Sequence, residues 1–305
     1  MILYQELIAI AFYAAILVGI ALISFKGHQN SSDFILGSRS LNFWLTALAA
    51  HASDMSSWLF LAFPAVIFTK GLISAWLAVG LCLFMFLNWF FIAPRVRLQT
   101  EEYNSYTFSS FFESRFADTS GIIRIFTGLM LCTFYTIYIS AGIVSLGLLI
   151  EALFGINYSI GITIGLLIVV PYLFFGGYIT LAWLDLFQGL FLLLVVVIVP
   201  VTVLGHLGNF GEIKASFDLK GLSFLMIPSF NKTTLAEIFL LTCSWGLGYF
   251  GQPHIITKFM GIKKVKEMRK SMAVGMTWQV IVLTAATAIG VVAVPFFKEG
   301  INNPE

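Results

Sequence analysis

An aspartate stands in the middle of an apolar segment, in the stretch HASDMSSWLFLAFPAV at residues 51–66. At the centre of a membrane a carboxylate costs roughly 2.5–3.5 kcal/mol, so such residues usually face an ion, a cavity or a partner. Asp54 is therefore a candidate for binding a cation or a substrate, and the alternative is a structural pair with Arg39. Small neighbours such as Ala52 and Ser56 favour local unwinding, which presents carbonyl oxygens to a hard cation such as sodium. The same small residues are also ordinary helix-packing material.

A second group of candidates lies in the stretch LTCSWGLGYFGQPHI at residues 241–255. Trp245 and Tyr249 are four residues apart, so on a helix they share one face. With Trp58 they would form an aromatic wall for a small organic substrate, although Trp and Tyr are also common at membrane interfaces. Asp185, in the stretch LAWLDLFQGL, opens a further apolar segment and is either an ion ligand or an interfacial carboxylate.

The composition explains what must position these residues. Of the 305 residues, 59% are hydrophobic and only 10% are charged, with a mean hydropathy of +0.94. Soluble domains carry about a quarter charged residues, so the sequence predicts an all-α polytopic membrane protein. A spanning helix needs about 20 apolar residues. Eight candidate spans meet that length approximately: 2–25, 42–68, 71–93, 122–150, 159–176, 183–206, 234–257 and 272–296.

Basic residues predict the orientation, because Lys and Arg accumulate in cytoplasmic loops. With the N-terminus outside, the cytoplasmic loops hold 12 of the 17 Lys and Arg residues. These are Lys26, Arg39, Arg95, Arg97, Arg115, Arg124, Lys258, Lys263, Lys264, Lys266, Arg269 and Lys270. The run from Lys258 to Lys270 is interpreted as a solvated cytoplasmic loop. The first span has no positive region before it and is expected to stay in the mature protein. No Cys or His has metal-ligand spacing, and neither a cofactor nor a nucleic-acid partner is predicted.

Two of the spans are interrupted, the second by Asp54 and its small neighbours and the seventh by several glycines and Pro253. A pair of broken spans in corresponding positions points to the binding site of a secondary transporter. The sequence therefore predicts one membrane domain over 1–305. It comprises an extra N-terminal helix and loop at 1–40, a five-helix repeat at 41–207 and the start of an inverted second repeat at 234–305. That second repeat is expected to be incomplete.

Four long stretches then carry a resemblance to a known family. They are DFILGSRSLNFWLTALAAHASDMSSWL at 33–59, FYTIYISAGIV at 134–144, FFGGYITLAWLDLFQ at 174–188 and WGLGYFGQPHIITKFM at 245–260. On these residues the chain resembles the sodium:solute symporter family over essentially its whole length, and within it the proline-transporting bacterial members. The resemblance implies the inverted-repeat, LeuT-like transporter fold, with two five-helix repeats after one extra helix.

The resemblance also implies roles for individual residues. Sodium binding and coupling would involve Ala52 and Met55 through their carbonyls, together with Asp54, Asp185 and Arg39. The substrate cavity would be lined by Asp54, Ser56, Trp58, Tyr138, Trp245 and Tyr249. The remaining sodium ligands of the family are expected beyond residue 305. Two departures from the close relatives, Ser57 in place of glycine and His51 in place of a small residue, would change the fit of the substrate.

The predicted function is sodium-driven uptake of proline by alternating access across the bacterial cytoplasmic membrane, with sodium as the coupling ion. The partners are then a small solute, sodium and the lipid bilayer. One alternative is sodium-coupled transport of another small solute, and a second is an inactive fragment of a transporter. An intramembrane aspartyl hydrolase would need Asp54 and Asp185 to face each other, and neither lies in a protease motif. The protein is therefore not expected to be an enzyme.

Overall fold

The computed structural model describes residues 2–24, 30–207 and 210–297. Within these ranges the regular structure is helical, and the one extended pairing is an isolated bridge between Leu41 and Ile262. Lys26, which entered the orientation argument, lies outside the described residues. The α-helices are α1 (Ile2–Ser24), α2 (Ser31–Leu36), α3 (Phe43–Ala52), α4 (Ala62–Lys70), α5 (Trp76–Leu87), α6 (Ala93–Glu102), α7 (Phe108–Arg115), α8 (Ile122–Phe154), α9 (Tyr158–His206), α10 (Phe210–Leu219), α11 (Lys232–Gly246), α12 (Pro253–Met260) and α13 (Met268–Phe296).

Four stretches of the described chain are long and apolar enough to cross a membrane: Leu72–Glu102, Ile122–Phe154, Gly176–His206 and Val265–Phe296. A bent pair, Phe43–Ala52 with Ser57–Lys70, makes a fifth span if it is counted as one. The predicted first and fifth spans contain shorter apolar helices, Ile8–Ser24 and Tyr158–Leu167. The seventh is divided into α11 and α12. Within the described residues, length and apolarity alone thus select four spans, or five with the bent pair.

A π-helical turn, Asn88–Ile92, joins α5 to α6 without a break, so this helical run continues to Glu102. The sequence prediction ended the third span at residue 93. The prediction ended too early because the last part of the run is polar, and hydropathy locates only the apolar part of a helix.

The predicted loop between the fifth and sixth spans is replaced by one residue. Helix α9 runs from Tyr158 to His206, and Gly177 inside it has φ 60° and ψ −170°, which is not a helical conformation. Only glycine adopts that region readily, because any Cβ would clash with the backbone. Asp185 lies eight residues after Gly177 and is therefore within the helical run, not at its opening.

The chain divides into two compact units. The first unit comprises Met1–Ala49, Val96–Phe187 and Thr257–Val265. Its core cluster contains Leu41, Leu45, Ala49, Tyr178 and Ala182, with Leu186 packed against it. The backbone of Leu41 bonds on both sides of Ile262: its N–H donates to the Gly261 carbonyl at 3.1 Å, and its carbonyl accepts from Lys263 N–H at 2.8 Å. The repeat boundaries at 41–207 and 234–305 stay a prediction.

The second unit comprises Ala50–Arg95, Gln188–Ile256 and Lys266–Glu305. One core cluster in it contains Phe68, Ile213, Phe217 and Val294. Helices α5 and α11 pack so closely that a Cβ on Gly80 would lie 2.1 Å from the Thr242 carbonyl oxygen. Small residues at such contacts let helix backbones approach within a membrane, and this contact fixes the part of α11 that precedes the break in the seventh span.

Replacing Gly80 with alanine is expected to destabilise the second unit. The new methyl group would meet the backbone of Thr242, which cannot rotate away, and overpacking of this kind costs about 1–3 kcal/mol. Thermal unfolding of the purified protein in detergent measures the effect. Gly128→Ala on α8 is the matched control, because no atom lies within 4 Å of the position that its methyl group would take and removing a helix glycine is neutral to stabilising. Equal melting shifts in the two variants would contradict the close contact.

Candidate functional site

The second span is broken at the residues where the sequence predicted it. Helix α3 ends at Ala52, residues 53–56 are not helical, and a 3₁₀ turn follows at Ser57–Leu59. The two helical parts are bent by 69°. The Ser56 hydroxyl accepts a hydrogen bond from the backbone N–H of Trp58 at 3.3 Å and so caps that turn. This predicted substrate residue therefore has a clear local role.

The break leaves backbone oxygens available to a ligand. Among the described residues, no backbone N–H donates to the carbonyl oxygen of Ala52 or Met55, whereas the Asp54 carbonyl accepts from Ser56 N–H at 3.1 Å. Carbonyl oxygens without a donor are tolerated at membrane depth where they line a cavity or bind a cation. Ala52 and Met55 are the two residues whose carbonyls were assigned to sodium.

The seventh span is broken in a similar way. Helix α11 ends at Gly246, a 3₁₀ turn covers Leu247–Phe250, and α12 begins at Pro253. Proline suits the first position of a helix because it lacks only an N–H that would have no helical partner. Trp245 lies in α11 and Tyr249 in the 3₁₀ turn, whereas the prediction of a shared face took both residues to lie on one α-helix. Trp245 is 40% exposed, whereas Tyr249 is 1% exposed.

Asp54 and Tyr249 meet across these two breaks, inside the second unit. The Tyr249 hydroxyl donates to Asp54 Oδ2 at 2.5 Å, and the carboxylate is 6% exposed. The other carboxylate oxygen, Oδ1, lies 3.7 Å from His254 Nε2, an ion pair only when the ring is protonated. The charge-assisted hydrogen bond from the Tyr249 hydroxyl offsets part of the free-energy cost of burying Asp54. His254 was not predicted as a site residue, and its scattered position in the sequence gives no signal for it.

The aromatic side chains beside this contact also come together. Trp58 and Trp245 have ring centroids 4.9 Å apart with a 43° angle between their planes, and Trp58 stacks on Phe63 at 4.9 Å. Trp58 and Trp245, one from each broken segment, therefore contact each other, and their role as an aromatic wall for a substrate stays a prediction. Tyr249 contributes a polar hydroxyl to the site instead of a wall surface.

Asp185 lies in the first unit and forms an ion pair there. Lys258 Nζ donates to Asp185 Oδ2 at 2.6 Å, and the two side chains are 9% and 18% exposed. The same ammonium lies 5.2 Å from the centroid of the Tyr178 ring, a cation–π distance. The Tyr178 hydroxyl donates to the Thr257 carbonyl at 2.9 Å. The carboxylate is therefore neutralised by a cation that belongs to the chain itself.

Lys258 corrects the interpretation of the basic run as a solvated loop. Lys258 is buried and lies on α12, whereas Lys263, Lys264 and Lys266 are exposed. Arg97, also assigned to a loop, is 3% exposed and donates to the Ile262 carbonyl at 2.7 Å. The available signal was local: Lys258 stands alone in the apolar stretch PHIITKFM, and a lone charge in such a stretch indicates a partner.

Arg39 is bonded entirely within the first unit. Its guanidinium donates to the carbonyls of Thr100 at 2.8 Å, Ser105 at 3.1 Å and Met260 at 3.2 Å, and to the Thr100 hydroxyl at 3.1 Å. Partial burial, with a smaller contribution from Arg97, lowers the pKa of Arg39 from its usual value. These bonds join the turn before α3 to the end of α6 and the end of α12. Arg39 is thus a cross-link between three segments.

Three further residues that the sequence analysis singled out for the substrate are Tyr138, Ser57 and His51. Tyr138, assigned to the substrate, lies on α8 in the first unit, is 42% exposed and makes an edge contact with Tyr135 at 6.4 Å. Ser57 begins the 3₁₀ turn of the second span. His51 is fully buried and accepts a hydrogen bond from the Trp89 indole at 2.9 Å. His51 therefore occupies packed interior, and an effect on substrate fit would have to be indirect.

Comparison with known proteins gives a consistent result. The sequence profile of the sodium:solute symporter family matches residues 34–301. The chain is 37% identical over 281 residues to the high-affinity proline transporter PutP of Bacillus subtilis, covering 92% of this chain and 59% of the relative. It is 39% identical over 298 residues to sodium/proline symporter 2 of Staphylococcus saprophyticus, covering 97% of this chain and 58% of the relative. The chain thus spans about three fifths of the length of these curated relatives.

Among solved structures, the chain is similar to a Na⁺-coupled sialic acid symporter in a substrate-bound outward-open state. The TM-score is 0.84 at 17% sequence identity, over 100% of this chain and 65% of the other. At that identity the likeness concerns the fold. It confirms the predicted fold class, an all-α membrane transporter fold of the LeuT-like type.

Proposed function

We propose that this chain, which belongs to the sodium:solute symporter family, carries the sodium- and substrate-binding part of a transporter that takes up proline with sodium by alternating access. The observation that carries the proposal is the contact between the two broken spans, in which Tyr249 donates to Asp54 at 2.5 Å. Both halves of that contact interrupt apolar helices, which is the arrangement used by secondary transporters for their binding sites. The relatives named for proline support the choice of substrate.

Sodium is proposed to bind at the break in the second span. A hard cation prefers oxygen ligands, and the carbonyls of Ala52 and Met55 have no hydrogen-bond donor among the described backbone groups. Binding there would fix the conformation of residues 53–56 and so the direction of the Asp54 side chain. Asp185 is proposed to lie on the sodium path in the first unit, where it would accept the ion in exchange for the Lys258 ammonium.

Proline is proposed to bind near the Asp54 and Tyr249 contact. The secondary ammonium of proline suits a carboxylate, and Asp54 Oδ1 has no hydrogen bond within the described residues and lies 3.7 Å from His254 Nε2. The apolar ring of proline suits the Trp58 and Trp245 pair, with Ser56 beside it. Sodium and proline would then each favour the conformation that the other binds, and such coupling is reciprocal. Tyr138 is proposed to contribute to substrate affinity, and Arg39 to coupling.

The chain is an integral membrane protein, as its family and its apolar helices indicate. We propose the bacterial cytoplasmic membrane as its location, with the N-terminus outside, from the distribution of Lys and Arg. No enzyme activity is proposed, because the proteins that match are transporters.

The test is uptake of radiolabelled proline by a transport-deficient bacterium. One arm expresses residues 1–305, and the second expresses them fused to the part of the Bacillus subtilis transporter that the match leaves uncovered. Sodium-dependent proline uptake in either arm, with membrane insertion checked by immunoblot, is the expected result. If an excess of another unlabelled solute, such as a sugar or pantothenate, suppresses the uptake more strongly than unlabelled proline does, that solute replaces proline as the proposed substrate. Well-inserted protein without sodium-dependent uptake of any of these in both arms contradicts the proposal.

A further inference from the structure

The π turn, Asn88–Ile92, is an irregular element outside the residues proposed to bind sodium and proline. It lies in the second unit, between α5 and α6, and its sequence is NWFFI. The π-helix is rare and is found mostly as single-turn bulges inside α-helices, frequently at functional sites. Its first two residues, Asn88 and Trp89, are 0% and 1% exposed.

Asn88 is bonded to the broken part of the seventh span. Its side-chain amide Nδ2 donates to the backbone carbonyl of Tyr249 at 2.7 Å. Tyr249 is inside the 3₁₀ turn Leu247–Phe250, where the α-helical hydrogen-bond pattern has stopped. The Asn88 amide therefore supplies a donor to a buried carbonyl at the residue whose hydroxyl reaches Asp54.

Trp89 is bonded to the last turn of α3, directly before the break in the second span. Its indole N–H donates to His51 Nε2 at 2.9 Å, and the two rings are nearly parallel, with centroids 5.9 Å apart and a 9° angle. Because Nε2 accepts, the proton of the neutral ring is assigned to Nδ1. His51 is followed directly by Ala52, the last residue of α3. Gly275 leaves room for the ring, since a Cβ there would lie 2.3 Å from it.

We propose that the π turn is a clamp that positions both halves of the binding site. Two adjacent residues bond to two segments that lie far apart in the sequence. Asn88 holds the backbone at Tyr249 in position, and Trp89, through His51, holds the end of α3 at Ala52 in position. Asn88, Trp89 and His51 are positioning residues, because they act through Tyr249 and through the Ala52 carbonyl. The proposal deepens the proposed function and rests on it for its meaning in transport.

The clamp is tested first without transport, by amide hydrogen exchange of the purified chain in lipid nanodiscs. Asn88→Leu is expected to speed exchange in residues 247–252 by about five-fold or more, with residues 52–58 unchanged, because a buried carbonyl loses its donor. Trp89→Phe is expected to speed exchange in residues 52–58 and to leave residues 247–252 unchanged. Trp76→Phe is the matched control: Trp76 also donates its indole N–H, to the Met226 carbonyl at 2.9 Å in the same unit, and its loss is expected to leave both segments unchanged.

Two outcomes would overturn the clamp. In one, either substitution speeds exchange equally in both segments, which indicates general loosening of the unit. In the other, neither segment changes. Since exchange does not require uptake, these results stand even if the protein moves no proline, and a failed uptake assay does not affect them.

In an arm of the uptake assay that is active, the two variants are expected to differ in kind. Trp89→Phe should raise the sodium concentration that gives half-maximal uptake, and Asn88→Leu should raise the corresponding proline concentration, each by about five-fold. The maximal rate should stay within two-fold of the unsubstituted protein, as an approximate limit. A fall in the maximal rate with both half-saturation concentrations unchanged would contradict a positioning role.

Discussion

Asp54→Ala is expected to abolish sodium-dependent proline uptake in the arm of the assay that transports. The substitution removes the carboxylate that Tyr249 bonds at 2.5 Å, and with it the charged group proposed to meet the ammonium of proline. Coupling free energies between sites are typically about 1–3 kcal/mol, or roughly 5- to 150-fold. Loss of a charged hydrogen-bond partner adds a term of about 1.5–3 kcal/mol, so uptake should fall below detection. Initial rates at saturating and at low sodium measure it.

Two further variants separate charge from shape at this position. Asp54→Asn keeps an oxygen that accepts from the Tyr249 hydroxyl, so it should retain more activity than alanine while losing most of the sodium dependence. Asp218→Ala is the control, because Asp218 is an exposed carboxylate on α10 in the same unit. Unchanged uptake and unchanged sodium dependence in Asp54→Ala, in protein that reaches the membrane, would remove Asp54 from the mechanism.

Lys258→Met should produce the second large effect, on stability. The substitution keeps an unbranched side chain of similar length but leaves the Asp185 carboxylate, 18% exposed, without its cation at 2.6 Å. Breaking one side of a buried ion pair costs about 3–5 kcal/mol, and we expect about 3 kcal/mol because Asp185 keeps some exposure. Loss of the contact between the ammonium and the Tyr178 ring acts in the same direction. Thermal unfolding in detergent measures the change.

A double-substitution cycle shows whether this loss belongs to the ion pair. Adding Asp185→Asn to Lys258→Met removes the uncompensated charge, so the double variant should be more stable than Lys258→Met alone. Lys264→Met is the matched control, since Lys264 is exposed and its removal should change stability by less than about 0.5 kcal/mol. Strictly additive losses in the cycle would mean that Lys258 and Asp185 do not stabilise each other.

The class of fold and the positions of both breaks follow from local sequence features. Apolar composition requires a membrane, and the glycines and Pro253 of the seventh span disrupt a helix wherever they stand, so α11 stops at Gly246 as expected. The missing loop before the sixth span has a different cause. Gly177 alone accommodates the change of direction of the backbone, and one glycine in an apolar stretch does not differ from a packing glycine in the sequence.

The partners of the site residues depend on contacts that no local pattern contains. Tyr249 and Asp54 are 195 residues apart, and Lys258 and Asp185 are 73 apart. Candidate residues can be selected because a charge in an apolar segment is costly, but the identity of the group that offsets that cost depends on tertiary packing. The prediction that Trp245 and Tyr249 share a face has a related dependence: an interval of four residues places two side chains together only while the helix remains α-helical, and the turn at Leu247–Phe250 is 3₁₀.

Helices α8 and α13 impose different constraints on how the gene can vary. In an apolar 18-residue stretch of the α8 span, 6% of residues are buried within the described chain, whereas in such a stretch of the Val265–Phe296 span the share is 50%. A position whose side chain touches few neighbours tolerates exchange among apolar residues of different size, and a packed position does not. Contacts within the described chain therefore leave the size of most α8 side chains unrestricted, with Tyr138 excepted by its proposed role, while their hydrophobicity is preserved. In α13 the volume available to each side chain restricts the same exchange, so the sizes of its side chains reflect the residues packed against them.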